Sequence, residues 1–202
     1  MSLSQTDICN QALVRIGAKR ISNIGDDDKG ARICSEVYDS TVREVSRCGQ
    51  WNCLIKRVEL AQLTEAPAFE WDYQYQLPAD FISMVQLNGI VYHGQPQDDW
   101  EIEGKRLLTD ATTAQVRYVA IVDDVSQWDP LFCDAVVVLL ASKIAVPMRQ
   151  DESMAVSLRN EYERITLSRA RQRDGNEKKR VRYDPTSEST FIAARSHSTN
   201  EE

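Results

Sequence analysis

D-P-L-F-C-D-A-V-V-V-L-L-A-S-K-I-A-V, residues Asp129 to Val146, reads as a helix with both ends written into it. Asp129 suits a cap, Pro130 suits the first helical position where a missing N–H costs nothing, and Pro147 predicts that the helix goes no further. Only Asp134, Ser142 and Lys143 interrupt the apolar run. They project at about 0°, 80° and 180° around the axis, so no wide polar face remains. Such a helix must be covered on nearly every side. At roughly 16 residues it falls short of a bilayer, and the expected cover is protein rather than lipid.

The flanking sequence supplies the cover. Pro147 to Gln150 is a connection short enough to force an antiparallel partner helix, capped by Asp151, with Met154, Leu158, Tyr162 and Ile165 facing inward and Arg159 paired with Glu163. That helix is expected to end near Gly175. At the other end of the chain, Ser4-Gln-Thr-Asp7 fits a capping box ahead of Ile8, Ala12, Leu13 and Ile16, with Gly17 as the stop. A second, longer amphipathic helix carries Cys34, Val37, Tyr38, Thr41, Val42 and Val45 and runs to Gly49.

From Trp51 the period changes from that of a helix to that of a strand. Val58 and Leu60, then Tyr73, Tyr75 and Leu77, then Val116, Tyr118, Ala120 and Val122 alternate with polar residues. Asn88-Gly89 between Val85–Leu87 and Ile90–Tyr92 is a strong type I′ hairpin signal, and Gly104-Lys105 between Trp100–Glu103 and Arg106–Thr109 is a second. The expected fold is α+β: a four-helix bundle-like core of two N-terminal and two C-terminal helices, with an inserted antiparallel β unit and an extended C-terminal tail. Residues 1–50 and 126–175 form the helical part, 51–125 the insertion and 176–202 the tail.

The totals fit one core with an appendage. The chain has 202 residues, 42% of them hydrophobic and 27% charged, with no stretch shaped like a signal peptide, so folding in a cytoplasm is expected. Its net charge of −7 is unevenly spread. Residues 164–182 hold eight basic side chains against Asp174 and Glu177, a local +6 that leaves −13 on the remainder. Most of the molecule therefore repels nucleic acid, and Arg169, Arg171 and Arg173 are the candidate contacts to DNA or to a protein partner.

No phosphate-binding glycine loop, nucleophile elbow or zinc motif is present in the sequence. Cys9, Cys34, Cys48, Cys53 and Cys133 lack a C-x-x-C pair and read as small buried hydrophobes. Asp26, Asp27 and Asp28 lack the alternating spacing of a calcium loop and read as acids stabilised at a helix start. Glu65 and Glu70 beside Trp71 and Tyr73 have the residue types of a glycosidase, whereas the run Phe69, Trp71, Tyr73, Tyr75 reads as a strand alternating into a core or an interface. No cofactor or metal is expected.

Taken in order, six motifs resemble one family. They are T-D-I-C-N-Q-A-L-V-R-I-G (Thr6 to Gly17), W-N-C (Trp51 to Cys53), F-E-W-D-Y-Q-Y-Q-L-P-A-D (Phe69 to Asp80), W-E-I-E-G-K-R-L-L-T-D (Trp100 to Asp110), D-P-L-F-C-D-A-V (Asp129 to Val136) with A-S-K-I-A (Ala141 to Ala145), and S-T-F-I-A-A-R (Ser189 to Arg195). Together they resemble the head-to-tail adaptors of short-tailed bacteriophages, the tail tubular protein A or gatekeeper-type connectors. The chain departs from that family at Phe191, where tryptophan is common, and in the extension Ser196 to Glu202.

The resemblance implies a structural virion protein without catalytic chemistry. Such a protein forms a ring of about 12 copies between the portal and the tail nozzle, and genome DNA passes through its centre. It also implies that Phe191, Ile192, Ala193, Ala194 and Arg195 dock on the portal or on a neighbouring subunit, with no membrane involved. An acidic body suits such a conduit, because attraction to every phosphate would act as friction. Two other readings are carried beside it: a tail-associated peptidoglycan hydrolase working through carboxylates, and a DNA-binding neck component using residues 164–182.

Overall fold

A computed structural model describes residues 3–88, 100–169 and 172. The chain runs α1 (Gln5–Arg15), α2 (Lys29–Arg47), β1 (Ile55–Leu60), β2 (Tyr73–Gln76), β3 (Phe81–Leu87), β4 (Trp100–Glu103), β5 (Arg106–Thr109), β6 (Ala114–Ala120), α3 (Pro130–Arg149) and α4 (Glu152–Glu161). A π-helical turn, Tyr162–Thr166, continues α4. The Ile165 side chain and the expected helix end near Gly175 lie outside the described residues.

Local signals set most of the helix ends. Ser4 and Asp7 form the reciprocal capping box, and Gly17 takes a φ of 69° just past α1. Asp28 caps α2, Asp129 caps α3 by accepting from Leu131 N–H at 2.8 Å, and Asp151 caps α4 through Met154 N–H at 2.9 Å.

Pro147 does not end α3, contrary to the sequence expectation; the helix runs 20 residues to Arg149. A proline in the last turn removes one ladder bond without stopping the turn. The stop is Gln150, whose φ of 56° is left-handed and whose N–H returns to the Val146 carbonyl at 2.8 Å. At this length α3 is long and apolar enough to cross a membrane, so the argument from length fails. Its environment answers the question instead: every residue from Ala135 to Ser142 is buried by protein.

The four-helix bundle is not observed. Among the described residues the molecule is α+β with four helices and two three-stranded antiparallel sheets, but its helices are arranged around a hub. α1, α2 and α4 each pack on α3, α1 and α2 barely meet, and α2 also packs on β3 and β6. A bundle needs helices with one apolar stripe each. α3 has none, being apolar all round, and so takes neighbours on all sides. The three polar residues within its apolar run are each provided for: Ser142 Oγ donates to the Leu139 carbonyl at 2.7 Å, Lys143 meets Glu44 of α2 at 2.7 Å, and Asp134 lies 3.6 Å from Arg15 of α1. Arg15 also pairs with Glu161 of α4. Arg159 joins Glu44 at 3.1 Å and Glu163 at 2.7 Å, the latter as the sequence spacing predicts.

One sheet has the order β1-β6-β3 and the other β2-β5-β4. In the first, Val58, Leu60, Ala114, Val116 and Tyr118 project to one face, and Leu60, Ala114, Val116 and Tyr118, with Leu87, pack against Tyr75, Leu77 and Leu107 of the second sheet or its flanks. The opposite face carries Ile55 and Val119, which join the helical core with Ile82 and Val85. The Gly104-Lys105 hairpin is observed, with Glu103 opposite Arg106. Asn88 has the positive φ of 51° that its turn calls for, but the rest of that hairpin lies outside the described residues.

Sheets and helices are joined through aromatic side chains. Trp51, just ahead of β1, and Trp128, just ahead of α3, both meet the buried Phe132 ring edge-on, at centroid distances of 5.0 and 4.9 Å. Cys9, Cys34 and Cys133 are buried in the helical core, while Cys48 and Cys53 are partly exposed. The Cys9 thiol is raised far above its ordinary value by its hydrogen bond with Cys34 and by burial, as an unreactive packing residue should be.

Candidate assembly surfaces

The segment between β1 and β2 projects an aromatic side chain into solvent. Sequence periodicity predicts a strand carrying Phe69 and Trp71 with Tyr73 and Tyr75, but the strand begins at Tyr73 and the two earlier residues stand in the preceding loop. Glu70 breaks the alternation with a φ of 70°, a left-handed conformation that a non-glycine residue adopts at a cost. Phe69 is consequently turned outward and is 75% exposed.

This loop is held in place at several points. Leu63 N–H donates to the Gln74 carbonyl at 2.9 Å, Trp71 N–H to the Phe69 carbonyl at 2.9 Å, and Asp72 N–H to the Asp110 carboxylate at 3.0 Å. The buried Gln74 amide donates to the Glu65 carbonyl and accepts from Arg106 at 2.9 Å. Beneath the loop is a cavity of about 340 Å3 lined in part by Glu65, Glu70, Trp71, Glu103 and Arg106. The Trp71 indole N–H is buried without an acceptor among the described residues. A pinned loop with a projecting phenylalanine loses little conformational entropy on being covered, which favours it as an anchor for another protein surface.

A second surface lies on the β1-β6-β3 sheet. Among the described residues the helices cover the near half of that face, at Ile55 and Val119, and leave the far half open. There Arg57 stands directly opposite Arg117, which is in turn opposite Gln86, and Glu59 stands opposite Gln115. These side chains line an open cleft of about 470 Å3. On the other side of β1, Lys56 Nζ lies 2.7 Å from Asp80, whose second oxygen accepts from the Tyr118 hydroxyl at 3.0 Å. Burial raises the Asp80 carboxyl, but the bonds from Lys56 and Tyr118 outweigh it and hold the group below its usual range. Tyr118 is pushed up to about 12 by burial and by its bond to Asp80.

The residues singled out in the sequence fall unevenly on these surfaces. Glu65, Glu70 and Trp71 share the cavity under the Phe69 loop, while Tyr73 begins the neighbouring strand. Asp26 accepts from Asn23 N–H and Asp28 from Gly30 N–H, both at 2.9 Å, so these acids organise the turn into α2. Arg169 is exposed on the helical continuation of α4. Arg171, Arg173 and the tail residues Phe191, Ile192, Ala193, Ala194 and Arg195 lie outside the described residues. Sequence reasoning missed the Arg57–Arg117 opposition, which depends on a register that neither strand specifies alone, and the Asp80 hub. No protein-family model matches the chain, and no curated protein matches it.

Proposed function

We propose that this chain is a structural head-to-tail adaptor of a bacteriophage virion, assembling as a ring of about 12 copies between portal and tail nozzle, with genome DNA passing through the centre. The observation that carries this reading is the ordered set of six motifs spread along the chain from Thr6 to Arg195. The architecture is compatible with such a role. A hub of helices cross-linked by Arg15, Glu44 and Arg159 gives a rigid body, and the sheets present a fixed loop and an open polar face to neighbours. Portal docking is assigned to the tail peptide Phe191–Arg195, and repetition around a ring multiplies a contact that is weak in one copy.

The test is assembly with purified portal rings of the same virus, followed by negative-stain imaging and by mass measurement of the mixture. The full chain should add a layer of density to one face of the portal, and a chain lacking residues 189–202 should stay folded and fail to add it. Portal rings that gain no mass from the full chain would refute the reading. A cleared band on a cell-wall zymogram would replace it with the hydrolase.

A further inference from the structure

The open half of the β1-β6-β3 face carries an arrangement that the described residues do not complete by themselves. Arg57 and Arg117 are directly opposed across adjacent antiparallel strands, where like charges repel. Neither makes an ion pair among the described residues, although the partner strands and flanking loops hold several acids. The Arg117 Nε–H is buried and has no acceptor among the described residues. A guanidinium edge withdrawn from water without a partner is a cost that an incoming oxygen would remove. Gln86 and Gln115 flank the pair with amide groups.

The charges select the ligand. Among the described residues the sole acid lining the cleft is Glu59, which accepts from the Gln115 amide at 3.4 Å. Two arginines and one glutamate leave a local +1, which a single carboxylate neutralises and a phosphate dianion overshoots. The planar fork of arginine matches a carboxylate with two parallel hydrogen bonds. Among the described residues the walls of the cleft are formed by the sheet's own side chains, so a small free ligand would stay largely in water. A carboxylate arriving on a larger body brings the missing wall with it.

We infer that the Arg57–Arg117 pair is a receptor for an aspartate or glutamate side chain of another polypeptide, docking across the uncovered end of the β1-β6-β3 sheet. The inference rests on the geometry of the cleft and stands or falls independently of the virion assignment.

The test uses the full chain, isotopically labelled, titrated with a short peptide alternating Glu and Ser, with its Gln counterpart, and with a short DNA duplex. The side-chain Nε–H signals of Arg57 and Arg117 should shift saturably with the Glu peptide alone. Affinity should fall about tenfold in Arg117→Gln, and by less in Arg117→Lys, which keeps the charge and loses the fork. Arg57→Gln, at an exposed position, gives the same reading should the Arg117 variants fail to fold. Equal response to the Gln peptide, unchanged affinity in Arg57→Gln, or saturable shifts with the duplex in place of the peptide would each overturn the inference.

Discussion

The indole N–H of Trp51 donates to the carbonyl of Val45 at 2.8 Å, tying the chain just beyond α2 back to the last buried turn of that helix. Trp51 is itself almost fully buried, so the bond sits in a dry setting. The Val45 carbonyl also accepts from Cys48 N–H, which leaves it one partner when the indole is replaced. Trp51→Phe should therefore cost only about 1 kcal/mol, the net worth of one hydrogen bond, whereas Trp51→Ala should cost about 3–5 kcal/mol by opening a cavity. Urea unfolding of the two variants, read by circular dichroism, measures both.

The middle of α3 offers a sharper test of the hub. Leu139 is wholly buried, and Leu139→Ala should destabilise by about 3–5 kcal/mol. Val146, 46% exposed on the same helix, should tolerate Ala within about 0.5 kcal/mol. Equal costs at the two positions would mean that α3 is not enclosed on all sides.

Acid sensitivity should trace in part to Asp80. Its folded pKa is depressed, so its contribution to stability is fully present above the ordinary carboxylate value and is lost as pH falls through the folded one. Asp80→Asn should be less stable than the parent by about 1 kcal/mol at neutral pH, with the gap closing below about pH 4. Thermal melts of both proteins across that range give the comparison.

At the end of α3, Gln150 holds a left-handed conformation that glycine adopts without penalty. Gln150→Gly should stabilise the chain by about 0.5–1 kcal/mol, provided the N–H to Val146 bond is kept. A lower melting temperature in this variant would mean that the glutamine side chain has a structural role of its own.

Much of the fold can be read from local chemistry, and the remainder fails for identifiable reasons. Ser4 and Asp7 announce α1 because the capping box is complete within one turn, and Gly104 announces the β4–β5 hairpin because its turn needs a positive φ. The arrangement around α3 is not legible, since a helix that is apolar all round gives no direction to its neighbours. Pro147 misleads because the penalty of proline depends on how many ladder bonds follow it, and here the helix has almost ended. Phe69 and Trp71 mislead because two-residue periodicity says nothing about a single left-handed residue between them. The opposition of Arg57 and Arg117 is hidden for a different reason: β1 and β6 are far apart in sequence, and alternation fixes faces but not partners.

Phe132 sits between two indoles, one on the way into the sheets and one on the way out. Trp128 N–H bonds to the Val122 carbonyl at 2.9 Å, as Trp51 N–H does to Val45, so each ring is clamped at its polar end and wedged at its flat side. A load applied to the sheets reaches the helices at this ring from two directions at once, beside the packing of α2 on β3 and β6. Twisting the sheets about the hub would have to unseat both indoles together, so this junction transmits torque where a pair of bare linkers would swivel.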